Sequence, residues 1–247
     1  MVTIDETRTV RDLVVGHPET REVLESFGID YCCGGGNTLA DAVAKTGRDM
    51  AAVVSVLQEA VNRAGLSEQG RGRDWSAAGL TELADHIEAT HHAFMKRSLP
   101  RLEDLFDKVL RAHGSRHGDM LLPLQATFEA LRSEIEMHLM KEEQILFPYI
   151  RQMEASVNQT GRVPPMHCGT VQNPVRQMEV EHENAGEALA RMRSITDDYA
   201  LPADACPTFG ALFEGLGELE ADLHEHIHLE NNILFPRAVA MEAEGAV

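Results

Sequence analysis

Apolar residues recur from residue 80 onward at the three- and four-residue spacing of an amphipathic helix, first at Leu80, Leu83, Ile87 and Phe94. Glycine- and proline-bearing connections separate four predicted helices, which cover 79–111, 118–156, 174–199 and 207–241. Pro100, Pro148 and Pro236 fall inside or late in these helices and are expected to kink or end them. Strand signals are absent, so the pattern predicts an all-α fold, an antiparallel four-helix bundle assigned to residues 79–247.

A small helical module is predicted ahead of the bundle, over residues 1–64. Pro18 suits the first turn of a helix that Gly28 ends, and Asp49 can cap a helix running toward Ala64. Residues 65–78, rich in glycine, serine and arginine, are typical of a linker.

Two adjacent cysteines, Cys32 and Cys33, stand at the centre of this module, before three glycines and a capping residue, Thr38. Thiols near a helix N-terminus have a lowered pKa and are more reactive. A disulfide between the two would be strained, because neighbouring Cα atoms are only about 3.8 Å apart. Two interpretations stay open: a tight turn with two small, partly buried residues, or intermolecular thiol chemistry or metal contact.

One phrase, HxxxExxILFP, is written twice, from His138 with Glu142 and from His226 with Glu230. Side chains four residues apart lie on one helix face, roughly 6 Å apart, which is a metal-ligand spacing. A solvated His–Glu pair is the alternative for a single copy. Both copies precede Ile-Leu-Phe, however, so their polar residues border an apolar stripe, where an unpaired polar group is costly.

Each copy also follows a histidine on the preceding helix: His182 lies 44 residues before His226, and His92 lies 46 before His138. A duplicated hairpin of this kind brings four histidines and two glutamates to one centre, about right for two metal ions bridged by two carboxylates. Imidazole with carboxylate suits iron, manganese or zinc. The ferritin-like pattern uses Glu-x-x-His with more carboxylates, so this histidine-rich pattern indicates a haemerythrin-like centre.

Other polar residues near the predicted centre keep more than one interpretation. On the first helix His91 is as inward-facing as His92, and His86 also comes near the core, so periodicity does not choose among them. Glu134 and Glu181 could each orient an imidazole or hold a proton near the metals, or be solvated surface acids. His224 and His228 are expected at the rim or surface, and Glu143 off the ligand face. Four further histidines are expected in turns or outside the bundle, without a role at the centre: His17, His113, His117 and His167.

Charge narrows the classes of partner. With 22 Lys+Arg against 40 Asp+Glu, the net charge of −18 argues against nucleic acids and anionic membrane surfaces and favours cations and proteins. No apolar run approaches the roughly 20 residues of a membrane span, and the start has no signal-peptide pattern, so a cytosolic, soluble protein is expected. The four cysteines lack the spacing of a secreted disulfide framework and are expected to be reduced.

Together these motifs resemble the RIC proteins (repair of iron centres), also called the ScdA or YtfE type. The resemblance covers nearly the whole chain and is carried by Tyr31-Cys-Cys-Gly-Gly with Thr38-Leu-Ala, by HLMKEEQILFP, by MEVEHENAGE and by HIHLENNILFPRA. Three glycines rather than two follow the cysteine pair, and extra histidines stand at 91, 224 and 228.

The resemblance implies a haemerythrin-like bundle that holds two non-haem iron ions joined by an oxo group. The family's first-helix pattern, counted from Asp85-His86-Ile87 or from Leu99-Pro100, places the ligand at His92. Glu134 and Glu181 match acidic positions near the family's site. The ligands implied are His92, His138, His182 and His226, with Glu142 and Glu230 bridging.

The function implied is a stress protein that restores iron–sulfur clusters damaged by nitric oxide or peroxide, by supplying iron to the damaged proteins. Our hypothesis is iron donation assisted by Cys32 and Cys33, because reactive thiols and a labile metal site lie on one chain. One rival is reduction of nitric oxide, with Glu134 or Glu181 passing protons. Another is a haemerythrin-like carrier or sensor of O2 or nitric oxide. A homodimer is compatible with the sequence.

Overall fold

The structure, a computed structural model, describes residues 4–64 and 73–245. Most of the predicted linker, residues 65–72, therefore lies outside the described residues, as do the first three. Throughout the described ranges the regular elements are helices, and β-pairing is limited to two isolated bridges. The all-α prediction is confirmed.

The chain divides into two compact units. Unit 1 comprises Met1–Gly79 and a short stretch of the last long helix, Ile227–Arg237. Unit 2 comprises Leu80–His226 and Ala238–Val247. The N-terminal module thus shares a unit with the eleven residues Ile227–Arg237, which lie far from it in the sequence.

Short helices make up the N-terminal part of unit 1. Thr38 accepts a hydrogen bond from the Asp41 N–H at 3.1 Å, so the predicted cap of the third helix is confirmed. Gly28 ends the second helix with φ +70°, a conformation that glycine adopts without steric cost. Asp49 caps the fourth helix by accepting the Ala52 N–H at 2.9 Å. The helices are α1 (Val10–Gly16), α2 (Arg21–Ser26), α3 (Leu39–Thr46) and α4 (Met50–Ala64), with 3-10 turns at Pro18–Thr20 and Gly34–Gly36.

Longer helices follow from residue 80 onward, and three π-helical turns interrupt them. The helices are α5 (Leu80–Ile87), α6 (Ala93–Lys141), α7 (Phe147–Thr160), α8 (Gln172–Thr196), α9 (Pro207–Leu229) and α10 (Phe235–Gly245). The π-turns are Glu88–His92, Glu142–Leu146 and Glu230–Leu234, and each contains one or more of the predicted metal ligands.

The 49-residue helix α6 is two antiparallel helices joined at a kink. His117, with φ −118° and ψ 16°, is the non-helical residue between them. The halves run in opposite directions, since the Phe106 and Phe128 rings lie 5.1 Å apart and Arg132 pairs with Glu103. The loop predicted over 113–118 is therefore reduced to a tight corner.

Helices α8 and α9 form the second antiparallel pair. Arg193 on α8 pairs with Glu220 on α9, and the Tyr199 ring lies 6.0 Å from that of Phe213. Helix α8 packs along α6, so the four long segments enclose one core. The predicted antiparallel four-helix bundle is confirmed. Its largest fully buried side chains include Phe106, Phe128, Phe147 and Phe209.

The π-turns explain where two of the three prolines fall. A π-turn carries one extra residue and shifts the helical register that follows it. Pro148 and Pro236 are the second residues of α7 and α10, directly after π-turns, where a missing N–H interrupts no continuous α-helical ladder. Pro100, in contrast, lies inside α6, which continues through it.

Within the described ranges, none of the helices has both the length and the apolar character that a membrane span requires.

Candidate metal centre

The first repeated phrase places its histidine and glutamate on one buried helix face. His138 Nε2 lies 3.4 Å from Glu142 Oε1, as the spacing of four residues predicts. Glu142 is 0% exposed. In the second phrase, His226 is 1% exposed and Glu230, one turn further along the same helix, is 0% exposed. Both pairs point away from water, unlike a solvated surface pair.

Glu142 faces histidines from three helical segments. Its Oε2 lies 3.3 Å from His92 Nε2 and 3.9 Å from His226 Nε2. Its other oxygen faces His138. One carboxylate therefore presents an oxygen to each of two sites, which is the arrangement of a bridging ligand.

His182, from α8, completes the set of histidines. Its Nε2 lies 3.1 Å from Nε2 of His138, with the two rings tilted at 55°. Two nitrogens bound at right angles to one ion, with bonds of about 2.1 Å, are about 3 Å apart. The two rings are therefore spaced like neighbours in one coordination shell.

The donor atoms of the six candidate ligands form two groups that share both glutamates. In each group all donor atoms lie within 4.8 Å of one another, and every residue is buried. The groups are His92, Glu142, His226 and Glu230, and His138, Glu142, His182 and Glu230. Two metal ions, each with two imidazoles and two shared carboxylates, match this arrangement.

The chemistry of the donors fits a cation. Two buried carboxylates carry negative charge in a region of low dielectric constant, which is costly unless positive charge accompanies them. Imidazole and carboxylate together suit iron, manganese or zinc rather than magnesium or calcium.

Carboxylates also hold the outer nitrogens of two histidines. His138 Nδ1 donates to Glu181 Oε2 at 2.9 Å, and the pKa of Glu181 is lowered to about 2, first by this hydrogen bond. His92 Nδ1 likewise lies 2.8 Å from Glu143 Oε1. Because each carboxylate accepts a hydrogen bond from Nδ1–H, the proton stays on Nδ1, and Nε2 of each ring keeps a lone pair aimed at the centre.

Glu143 is the residue that sequence reasoning missed. It belongs to neither group of donors, so its predicted place off the ligand face is right for its own helix. Its partners, however, are His92 and Lys96, about 50 residues earlier in the chain. Burial alone would raise the pKa of Glu143, but hydrogen bonds from Lys96 and His92 hold it below its usual value. Helical spacing within one segment gives no signal for such a partner.

Replacing Glu181 with alanine is expected to weaken metal binding about 10- to 100-fold, the usual cost of losing a carboxylate that orients a metal-bound histidine. Competition with a chromophoric chelator measures the affinity. Glu136→Ala is the matched control, because Glu136 is exposed and pairs with Arg132 on the same helix. Unchanged affinity in Glu181→Ala would mean that the His138 ring is held in place without this carboxylate.

The structure distinguishes the three histidines of the first helix. His92 joins a donor group, whereas His91 stacks on the His226 ring at 5.6 Å and contacts Asp222 Oδ1 at 3.0 Å. His86 lies behind His91, with ring centroids 5.9 Å apart. His91 thus packs against a candidate ligand from outside the donor groups.

The rim position predicted for His228 is wrong. Its side chain is buried, its ring lies 5.7 Å from Tyr31, and burial lowers its pKa to about 3. The ring is therefore neutral near pH 7. His224, also expected at the rim, is half-buried.

A narrow cavity of about 20 Å³ adjoins the donors, with room for about one water molecule. Glu134 and Glu181 line it together with His138, His182 and His226. Glu134 itself is exposed. Both predicted acidic residues thus border the same cavity beside the donors, one at the surface and one hydrogen-bonded to a ring.

In unit 1 the cysteine pair lies in a turn built around Asp30. The Asp30 carboxylate accepts the N–H groups of Cys32, Cys33 and Gly34 at 2.8–3.0 Å. The two Sγ atoms are 4.0 Å apart, and none of the four cysteines forms a disulfide. The lowered pKa expected for these thiols is wrong for Cys32, whose pKa is raised by the hydrogen bond to Cys33 and by burial.

The same turn contacts the part of unit 1 that carries Glu230. Asn232 donates from Nδ2 to the Tyr31 carbonyl at 2.9 Å and to His228 Nδ1 at 2.9 Å. Arg11 donates to its Oδ1 at 2.9 Å. The cysteine turn is therefore fastened to the π-turn that contains a candidate bridging glutamate.

Comparison with known proteins agrees with both parts of the chain. Residues 83–238 match the family described as hemerythrin HHE cation binding domain, and residues 6–61 match ScdA_N, described as a domain of unknown function. The chain is similar to the "Iron-sulfur cluster repair protein YtfE" of Enterobacter sp., with 38% identity over 94% of this chain and 96% of the relative. Proteins of the same name from Citrobacter koseri and Escherichia coli O157:H7 are 37% identical over the same shares.

Proposed function

The chain belongs to the family of YtfE-type iron–sulfur cluster repair proteins, and from this premise we propose that it holds two non-haem iron ions and supplies iron to damaged clusters. The damage in question is that done by nitric oxide or peroxide to the clusters of other proteins. The acidic net charge of −18 suits a protein that gathers cations and meets protein partners.

The observation that carries this proposal is the pair of donor groups that share Glu142 and Glu230. The proposed ligands are His92 and His226 for one ion and His138 and His182 for the other, with both glutamates and an oxo group between the ions. Each ion then has four protein donors, so a six-coordinate iron keeps room for a further ligand.

The same donor set allows iron to leave. Iron is here the cargo, and the ferrous ion binds hard carboxylate oxygens less tightly than the ferric ion does. Reduction by an external one-electron donor would therefore weaken the hold of Glu142 and Glu230 on both ions at once, since both ions would share them. Glu181, ionised above a pKa of about 2, keeps the His138 ring in its binding orientation, so the site can be refilled.

The thiol pair is proposed to assist the transfer. Asp30, Cys32 and Cys33 form a group whose donor atoms lie within 4.8 Å of one another. Their turn is fastened through Asn232 to the helical segment that carries Glu230, within unit 1. Because Cys32 is protonated near neutral pH, binding of iron there requires its proton to leave, and Asp30 lies 3.3 Å from its Sγ.

An iron-transfer experiment tests the proposal. The iron-loaded protein, kept anaerobic with dithionite, is mixed with a ferredoxin whose cluster has been destroyed by nitric oxide, together with sulfide. We expect the ferredoxin absorption to return while iron is lost from the donor protein. Replacing Cys32 and Cys33 with serine should slow this return at least tenfold and leave the initial iron content unchanged.

Cys168→Ser is the control, since it removes a thiol that belongs to none of the donor groups, and should restore the cluster at the wild-type rate. Equal rates for this variant and the Cys32 and Cys33 double variant would remove Cys32 and Cys33 from the mechanism. If iron stays with the protein while the ferredoxin remains without a cluster, donation itself is excluded.

A second candidate function follows from the cavity beside His138, His182 and His226. It has room for about one water molecule, and its two carboxylates could deliver protons to a small ligand bound beside them. Reduction of nitric oxide to nitrous oxide would then need Glu134. Repeated anaerobic turnover in wild type, lost in Glu134→Gln, would support this function, whereas a stable, reversible oxygenated or nitrosyl spectrum would indicate a carrier or sensor.

A further inference from the structure

A second group of metal-binding side chains lies far from the proposed iron centre, at the corner of α6 and in the connection between α8 and α9. Donor atoms of His113, His117 and Asp204 lie within 4.8 Å of one another. His113 lies 21 residues after His92 (113 − 92), which is about 30 Å along a helix. The expectation that His113 lies in a turn is wrong, because it belongs to a helical part of α6, whereas His117 is the non-helical residue at the corner.

Existing contacts already orient these side chains. His117 Nε2 lies 2.8 Å from Asp204 Oδ1, while Arg116 donates to the other carboxylate oxygen at 3.0 Å. The buried Phe209 ring supports both imidazoles, with centroid distances of 5.3 Å to His113 and 5.9 Å to His117. The two rings therefore rest on an apolar surface with Asp204 beside them.

A fourth donor comes from the same connection. Cys206 follows Asp204 by two residues, and its thiol lies beside the His113 imidazole.

We propose that His113, His117, Asp204 and Cys206 form a second metal site, for a divalent cation of the zinc class. Two imidazoles, a thiolate and a carboxylate are the donors that Zn²⁺ takes in four-coordinate sites. Magnesium and calcium are disfavoured, because they take oxygen ligands. The centroids of the two imidazole rings lie 6.2 Å apart at the corner of α6.

Binding of an ion by His113, His117 and Asp204 requires only small movements of their side chains. Donors around a tetrahedral ion with bonds of about 2.0–2.3 Å are about 3.3–3.8 Å apart. The three donors within 4.8 Å can reach that spacing by side-chain rotation, since His113 and His117 are half-buried and Asp204 is exposed. On binding, the Cys206 proton goes to solvent and the His117–Asp204 contact is replaced by bonds from both residues to the ion. The bound ion would tie the corner of the first hairpin to the connection of the second.

Zinc titration of the iron-loaded protein tests the site. We expect one zinc ion per chain bound without loss of iron, as measured by calorimetry and elemental analysis. His113→Ala with Cys206→Ser should weaken zinc binding at least 100-fold. His167→Ala with Cys168→Ser, which removes a neighbouring His–Cys pair that belongs to none of these donor groups, should not change it.

Cobalt supplies the spectroscopic readout. Co²⁺ added to the iron-loaded protein should give a thiolate-to-cobalt charge-transfer band that Cys206→Ser abolishes and Cys168→Ser leaves intact. Asp204→Asn, a conservative change at an exposed residue, should weaken zinc binding without unfolding the protein. Wild-type protein that takes up no zinc, zinc affinity equal in both double variants, or a cobalt band indifferent to Cys206 would each overturn the proposal and leave a surface hydrogen-bond network.

Discussion

Protein in which Glu142 and Glu230 are both replaced by alanine is expected to retain no metal after purification, against two ions per chain in wild type. The two glutamates are the members that the donor groups have in common, so each replacement takes a donor from both ions. Two histidines per ion would remain, too few to hold iron against solvent and chelators. Elemental analysis of the purified protein measures the loss.

The matched control removes two acids of the same type from the surface. Glu129 and Glu136 are exposed on α6 and belong to neither donor group, so their replacement by alanine should leave the metal load at the wild-type level. Glu142→Gln with Glu230→Gln keeps the side-chain volume and should lose metal as completely, because the charge is lost. A full metal load in either double variant of Glu142 and Glu230 would mean that the bridged centre does not exist.

Replacing Asn232 with alanine is expected to lower the free energy of unfolding by about 3 kcal/mol, since three hydrogen bonds of a buried amide are lost at about 1 kcal/mol each. His228 can accept one of them because burial keeps its ring neutral near pH 7. The Tyr31 carbonyl and the Arg11 guanidinium lose their contacts to Asn232 with it. Urea unfolding of the iron-loaded protein measures the change.

A substitution at Gly35 tests the contact between the cysteine turn and Asn232 independently. A Cβ at Gly35 would lie 2.5 Å from Asn232 Oδ1, whereas a Cβ at the neighbouring Gly36 would meet nothing within 4 Å. Gly35→Ala should therefore be destabilising and Gly36→Ala close to neutral. Gly35→Ala should also cost much less in the Asn232→Ala background, because the clash needs the amide. Additive effects of the two substitutions would show that the turn is not held in the way described.

The two His–Glu pairs among the candidate ligands can be predicted from the sequence because the information that identifies them is local. His138 with Glu142 and His226 with Glu230 share helix faces by their spacing, and the repeat of the phrase indicated that two such helices meet. The choice of His92 over His91 was different. Both rings are buried, and the choice depended first on a family pattern and then on the π-turn at Glu88–His92, which periodicity does not predict.

When the partner of a side chain lies on another helix, no local sequence pattern identifies it. Glu143 contacts the ring of His92, about 50 residues earlier in the chain. Asp204 contacts the ring of His117, about 90 residues earlier. The pKa of Cys32 differs from the sequence-based prediction for a related reason. Its position near a helix N-terminus predicts a lowered pKa, but the hydrogen bond to Cys33, burial and nearby Asp30 raise it.

By itself, the sequence determined the helices, the apolar faces and the ligand pairs, because helical periodicity depends only on the order of residues within one segment. Only the tertiary structure decided which carboxylate orients which ring, why His228 is neutral, and that residues 227–237 share a unit with the cysteine turn. Those outcomes depend on the distances and burial that arise when separate helices pack, and these are properties of the folded chain.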